Sequence, residues 1–298
     1  MKILFIGKVK SSLKYLKQLI KLKQNIVGVI TDNKKRINSD YLDLKPFCKT
    51  KKIPSIYAKN INSKSNIKWI KKCNPDFILC IGWSKLIGKE ILEKFKNRVI
   101  GLHPSLLPFN RGRHPIIWSL ILKLKETGIS FFIMSKKIDY GRILLQKKIR
   151  ISKKDNSKTL MKKIELEIAT NLDNLIYILK KKRYSNQLLL NPKKKHNIWR
   201  KREKNDGIID WRMNADNINK LVEALGKPYA GASFIFKNKE VKVWKAKIIK
   251  TGNQFKNYEY GKVIKVFSNK SFIIKCIDRP IKIINYYPKI SIKQNDYL

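Results

Sequence analysis

Histidine is nearly missing from this chain: three copies in 298 residues. Cysteine is almost as sparse. Its four copies, Cys48, Cys73, Cys80 and Cys276, form no Cys-x-x-Cys pair. With the imidazoles and thiols scattered, no ligand set for a metal is expected. Unpaired, mostly apolar-flanked cysteines read as reduced thiols in a cytoplasmic protein. Glycine is thin too, and Gly7 stands alone after the first apolar run in FIGKVKSS. A dinucleotide fingerprint and a P-loop are therefore absent, which weighs against nicotinamide- or NTP-dependent chemistry. No apolar run approaches the roughly 20 residues of a membrane helix. The opening MKILFIGKVK has too short an apolar part, and no small-residue cleavage site, for a signal peptide; it reads as a buried first strand.

Acidic residues are scarce beside the basic ones, 21 against 68, for a formal charge of +47. A basic surface is the electrostatic footprint of nucleic-acid binding. Here only 11 of the basic residues are arginine, and the 57 lysines run from end to end among many isoleucines and asparagines. That distribution reads as a solvated lysine-rich surface, of the kind A/T-rich codon usage produces. Acidic partners, tRNA and sugar nucleotides among them, are still attracted at low salt.

What remains is the composition of a folded protein, 43% hydrophobic and 10% aromatic, long enough for about two domains. KILFI, the amphipathic SSLKYLKQLIKLKQ and NIVGVIT form a strand–helix–strand unit, which predicts a parallel sheet with a right-handed crossover. Helices are expected over 65–74, 84–95, 115–126 and 157–182, and strands over 75–83 and 98–104. ISFFIMS and RILLQKKIRI read as two strands flanking the turn KKIDYG. Residues 180–207 are densely charged and carry proline and asparagine, a boundary signal. A short helix capped by Asn214 comes next, then GASFIFKN, EVKVWKAKII, GKVIKVFS and SFIIKCI, alternating strands of a small barrel or sandwich. The expected division is an α/β, Rossmann-like N-terminal domain over 1–190, a linker over 191–206 and a β-rich, OB-like barrel over 207–298.

The unusual chemistry sits in VIGLHPSLLPFNRGRHP, residues 99–115, which holds two of the three histidines. His103 leaves a buried strand at its carboxyl end, the edge where open α/β sheets bind ligands. Pro104 and Pro108 stiffen the loop beyond it. Imidazole suits proton transfer near neutrality. Arg111 and Arg113 crowd Gly112 and His114, and their forks match phosphate or carboxylate oxygens. Asp139, in the turn between two strands, can reach His103 if that turn lies at the same sheet edge. Read alone, each of these residues also fits a structural loop histidine, a surface charge cluster and a turn aspartate.

HPSLLPFNRGRHPIIW, with KKIDYGRILLQ after it, resembles the folate-dependent formyltransferases, a superfamily that acts on methionyl-tRNA, glycinamide ribonucleotide and nucleotide-linked amino sugars. PDFILCIGWSKLI resembles the family's folate-contacting strand and loop, and the segment from WRKREKNDG to VWKA looks like its junction and small C-terminal domain. The resemblance implies a formyltransferase using N10-formyltetrahydrofolate as donor, with His103 and Asp139 as the catalytic pair. It implies Trp83, Ser84, Leu86, Ile100 and Asp139 as folate contacts, and Ser105, Arg111, Arg113, Lys201 and Arg202 as substrate contacts. Lys8 and Lys10 border the expected acceptor pocket or are plain surface lysines. One position departs from the pattern. The best-known members carry Asn-x-His, where asparagine donates to the formyl oxygen; here that position is Gly101.

The acceptor is expected to be the primary amine of an amino-sugar nucleotide. After the second strand this chain reads TDNKKRINSDYLDLKPFCKTKKIP, without the glycine-rich insertion of the tRNA enzymes, and NRGRHPIIW also favours the sugar enzymes. The alternatives are initiator methionyl-tRNA as substrate, and a non-catalytic basic RNA-binding protein. No membrane association is expected, and a homodimer is compatible with the sequence.

Overall fold

The computed structural model of the chain describes residues 1–33, 40–181, 196–250 and 253–298. Strand β1 (Lys2–Ile6) enters helix α1 (Lys10–Lys21) and returns as β2 (Asn25–Thr31); then come α2 (Lys45–Thr50), β3 (Ser55–Tyr57), α3 (Lys64–Cys73), β4 (Phe77–Cys80), α4 (Lys89–Lys94) and β5 (Val99–His103). The short β6 (Arg111–Gly112) precedes α5 (Pro115–Ile121), the pair β7 (Glu126–Ile133) and β8 (Ile143–Arg150), and the long α6 (Ser157–Lys181). Beyond lie β9 (Ile198–Trp199), α7 (Ala215–Ala224), β10 (Ala232–Phe236), β11 (Lys239–Ile248), β12 (Val263–Val266), β13 (Phe272–Lys275) and β14 (Pro280–Tyr287).

The main sheet has seven strands in the order β3-β2-β1-β4-β5-β7-β8. The first five run parallel, as the sequence predicts. β7 and β8 join antiparallel, so the sheet is mixed rather than wholly parallel. β7 and β8, joined by residues 134–142 alone, have no crossover helix to bring the second back in the same direction. The apolar runs are buried because both faces of a parallel sheet are covered: Ile3, Leu4, Phe5 and Ile6 are each 0% exposed. Leu4, Ile6, Ile78 and Val99 share one core cluster with Ile67 and Ile70 of α3 and Ile91 of α4.

The helix expected over 84–95 is shorter, starting at Lys89. Asn62 holds the preceding turn open: its Oδ1 accepts from the Gly88 N–H at 2.6 Å and its Nδ2 donates to the Leu86 carbonyl at 3.1 Å. Those bonds fix residues 86–88 in a loop and leave Leu86 64% exposed at the sheet edge.

By internal contacts the chain forms two compact units. One comprises Met1–Pro115, Glu126–Arg150 and Lys162–Arg200; the other comprises Ile116–Lys125, Ile151–Met161 and Lys201–Leu298. Residues 182–195, which include the expected boundary at 190 and the first five positions of the expected linker, lie outside the described residues. In the second unit α7 is capped by Asn214, whose side chain accepts from the Asn217 N–H at 2.9 Å, the cap the sequence predicts. Its sheet is antiparallel, ordered β10-β11-β14-β13-β12. The strand the sequence reading missed, β14, is the central one; the consecutive Ile283 and Ile284 break its alternation at the register shift, and Pro280 occupies the first position, where a strand tolerates proline. An aromatic file, Trp211–Phe234–Phe272–Tyr286, runs through this core with ring separations of 5.7, 6.2 and 5.5 Å.

All four cysteines are free thiols. Burial pushes Cys48 up to about 11 and Cys80 and Cys276 up to about 12, so none of these three carries appreciable thiolate near neutrality. In a native titration with a chromogenic disulfide at pH 8, the partly exposed Cys73 is expected to react first and the other three only on unfolding. Fast reaction of two or more thiols in the folded state would contradict this burial pattern.

Candidate active site

The carboxyl edge of the main sheet carries His103, Trp83 and Ser84. β4 and β5 pair Cys80 with Gly101, and β5 and β7 pair His103 with Ser130, which brings the loops after β4 and β5 side by side. His103 is 6% exposed. Its Nε2 lies 2.9 Å from the Asn110 carbonyl. A carbonyl can only accept, so Nε2 carries the hydrogen and Nδ1 is the basic nitrogen of the neutral ring. Nδ1 faces Asp139 Oδ2 at 3.8 Å. The two residues the sequence pairs across 36 positions therefore meet.

Asp139 sits in the left-handed region, φ 57°, which aspartate tolerates better than most residues. Two bonds fix it: its Oδ2 accepts the Gly112 N–H at 3.1 Å, and its carbonyl accepts Arg111 Nε at 2.9 Å. Arg111 lies 2% exposed and stacked 3.4 Å over the Tyr140 ring. Burial lowers its pKa from the ordinary guanidinium value, opposed by the neighbouring Tyr140 and Asp139. Tyr140 in turn hydrogen-bonds His196.

The loop itself is stitched down. Ser105 Oγ donates to the Phe109 carbonyl at 3.0 Å, and Ser130 Oγ donates to the Ser105 carbonyl at 2.7 Å. Asn110 N donates to Asn197 Oδ1 at 2.8 Å, and Asn197 Nδ2 returns a bond to Asn110 Oδ1 at 2.9 Å. Beside this amide pair, β6 runs parallel to β9. A segment expected to be linker thus supplies a strand that braces the His103 loop. Asn110, Tyr140, His196, Asn197 and Trp199 were not singled out as site residues in the sequence. The nearest signals were His196, as the third histidine, and the Asn-Arg-Gly run, whose partner strand is too short to show periodicity.

The structure divides the predicted ligand contacts. Trp83 is half-buried, while Ser84 and Leu86 are exposed at the sheet edge. The indole N–H of Trp83 is buried without a hydrogen-bond partner. Lys8 and Lys85 lie 5.4 and 5.2 Å from the Trp83 ring centre. Both converge on the buried Asp32, at 3.5 and 2.9 Å. Lys8 is therefore an interior ion-pair member, whereas Lys10 is exposed. Ile100, Ser105 and Arg111 are withdrawn into the interior at 1%, 0% and 2% exposure; the Ser105 hydroxyl is spent on the Phe109 carbonyl and Arg111 Nε on the Asp139 carbonyl. Arg113 is exposed. Lys201 and Arg202 belong to the second unit, where Lys201 pairs with Glu203 at 3.0 Å and Arg202 lies 4.9 Å over the Trp118 ring.

Gly101 points to the same side of β5 as His103. A Cβ built there would lie 2.9 Å from the Phe132 ring and 3.0 Å from Met134 Cγ. The space an asparagine would need is filled by those two side chains. Among the described residues, no group of three or more His, Cys, Asp or Glu is placed to hold a metal ion.

Two family models match the chain: formyl transferase over residues 1–172, and formyl transferase, C-terminal domain, over residues 201–297. The bifunctional polymyxin resistance protein ArnA of Wigglesworthia glossinidia brevipalpis is 34% identical over 90% of this chain, which spans only 40% of that protein's length. Methionyl-tRNA formyltransferase of Prochlorococcus marinus is 32% identical over 95% of this chain and 91% of its own. Among solved structures, WlaRD, a sugar 3N-formyl transferase crystallised in the presence of dTDP and 5-N-formyl-THF, superposes with a TM-score of 0.67 at 20% identity, covering 97% of this chain and 99% of its own.

Proposed function

The chain belongs to the formyl transferase family, and on that premise we propose that it transfers a formyl group from N10-formyltetrahydrofolate to the primary amine of an amino-sugar nucleotide. The observation that carries the proposal is the His103–Asp139 pair, with one imidazole nitrogen tied to a backbone carbonyl and the other turned toward a carboxylate. The folate, when bound, supplies an electrophilic formyl carbon. The residues at the β4 edge suit it: the flat Trp83 ring with its unpartnered N–H, beside the exposed Ser84 and Leu86. His103 Nδ1 takes the proton that the attacking amine loses and returns it to the folate nitrogen as the bond from that nitrogen to the formyl carbon breaks, and the Asp139 carboxylate stabilises the imidazolium in between. Arg111 and Gly112 act indirectly, by fixing Asp139. Exposed Arg113 is the side chain of the loop placed to meet the phosphates of a sugar nucleotide.

The sugar reading is supported by the likeness to WlaRD along nearly the whole of both chains and by the absence of a glycine-rich insertion after β2 in the sequence. A second reading, initiator tRNA as acceptor, is favoured by the methionyl-tRNA formyltransferase matched over 91% of its length and by the charge of +47. One assay separates them: release of tetrahydrofolate with a panel of amino-sugar nucleotides and with charged initiator tRNA. Turnover is expected with a sugar nucleotide. Turnover with tRNA alone would transfer the proposal to the second reading, and tRNA binding with no turnover on any acceptor would remove the enzyme.

Gly101 gives a further expected result. Reinstating the family's asparagine, Gly101→Asn, is expected to destabilise the fold by about 1–3 kcal/mol through overpacking against Phe132 and Met134, and to leave turnover at or below its starting value. A chemical denaturation midpoint and the folate-release assay check both halves. A stable variant with faster turnover would show that the pocket accepts the amide after all.

A further inference from the structure

The second unit carries a concavity of about 1010 Å³ whose lining includes none of the residues assigned above. Its volume is at the upper end of the roughly 300–1,000 Å³ typical of small-molecule sites. It is built on an irregularity in the sheet. β11 and β14 pair Lys242 with Tyr287 and Val243 with Tyr286, then shift register on both sides of Lys245. Such a bulge re-aims the side chains around it. Here it presents the half-buried Trp244 to the groove, near Tyr287, which is 70% exposed. Lysines stand on several sides: Lys158 from the start of α6, Lys227 after α7, Lys245 on β11 and Lys289 after β14. Lys227 Nζ is 5.6 Å from the Trp244 ring centre, and Lys289 Nζ is 4.0 Å from that of Tyr286.

Glu223 is the only acidic residue among the described residues lining the groove. Lys220 and Asn219 engage it, at 2.6 and 2.9 Å, so its charge is already answered. The first-turn N–H groups of α6 are capped by Asn156 Oδ1, which accepts from Lys158 and Thr159 at 3.0 and 3.1 Å. The positive character of the groove therefore comes from lysine side chains and not from the helix end.

Flat aromatic surface ringed by ammonium groups matches a ligand that is itself flat at one end and polyanionic at the other. A base stacks on an aromatic ring whatever its identity, and lysines meet phosphate oxygens as point charges. An acidic peptide would use the lysines and leave the rings idle. A continuous RNA strand needs an extended track, whereas this open hollow is on the scale of one small molecule.

We propose that the groove is a binding site for a free nucleoside diphosphate, with its base on Trp244 and Tyr287 and its phosphates on the surrounding lysines. The proposal does not depend on the transfer reaction or on which amine is the acceptor.

The test uses the full chain and 4-thio-UDP, irradiated and mapped by peptide mass spectrometry, alongside calorimetry with UDP and dTDP and with a single-stranded RNA of about 12 nucleotides. Cross-links are expected in the β11 and β14 peptides. They should be lost in Trp244→Ala and in the double variant Tyr287→Ser/Lys245→Glu, with the affinity of this site about tenfold weaker or worse. Both positions in the double variant are exposed, so it keeps the test valid if Trp244→Ala fails to fold. The folate-release kcat and KM are expected to stay unchanged. Cross-links confined to other peptides, nucleotide binding unaltered in the double variant, or binding of the RNA alone would each overturn the assignment.

Discussion

Replacing His103 with glutamine is expected to lower formyl transfer by about 10²–10⁴-fold, the contribution of a positioned general base, while the chain stays folded. Glutamine is the informative choice because its amide N–H can still donate to the Asn110 carbonyl, which accepts from His103 Nε2 at 2.9 Å. Alanine would leave that carbonyl unpaired inside a rigid loop and mix a structural loss with a chemical one. Asp139→Asn is the matching change on the other side. Asparagine tolerates the left-handed backbone at φ 57°, and its amide oxygen can still accept the Gly112 N–H. Only the negative charge facing Nδ1 is removed. For His103→Gln the fall is expected in kcat rather than KM. If the two side chains act as a unit, the double variant loses little more than His103→Gln alone. Full turnover by His103→Gln would end the mechanism, and additive losses would separate the pair into independent contributors.

Both residues were legible in the sequence for a physical reason. A histidine just past a continuous apolar run emerges at a sheet edge, and an aspartate in a glycine-terminated turn between two apolar runs emerges at the end of a hairpin. Apolar runs report elements, and they place His103 at the carboxyl end of β5; β7 runs antiparallel to β5, so the β7–β8 connection leaves beside Val99, and Asp139 reaches His103 because that connection folds back and is held by Arg111 and Gly112. What the sequence hid was the layer beneath. Arg111 looks like a surface cation in NRGRHP, yet it is 2% exposed, bonded to the Asp139 carbonyl and stacked on Tyr140. A charged residue is buried only when its partners are arranged around it, and those partners come from positions 139 and 140, far along the chain. Ser105 was hidden in the same way, because its hydroxyl serves the Phe109 carbonyl. The strand at Ile198–Trp199 could not show through, since two residues have no period. Gly101 was visible as an exception, but that Phe132 and Met134 fill its space is a fact of packing between β5 and β7.

A large structural effect is expected at Gly112. Its φ is +97°, outside the region an L residue occupies comfortably, and a Cβ there would lie 2.2 Å from the Trp199 carbonyl oxygen. The obstruction is backbone, so no side chain can swing aside to relieve it. β6 and β9 run parallel at this point, with Arg113 N donating to the same Trp199 carbonyl at 3.0 Å. Gly112→Ala must therefore either hold a strained conformation, which costs about 1–3 kcal/mol, or part the two strands. Parting them also moves the Gly112 N–H away from Asp139 Oδ2, to which it donates at 3.1 Å. The expected outcome is a loss of about 3–5 kcal/mol in the stability of the first unit, with turnover falling at least as far as in Asp139→Asn. Arg113→Ala, one residue along and exposed, serves as the control: its backbone bond survives, and its stability change is expected to lie within about 0.5 kcal/mol. A Gly112→Ala protein with the denaturation midpoint of the parent would mean that β9 does not brace this loop, and the rigidity argued for His103 and Asp139 would lose its foundation.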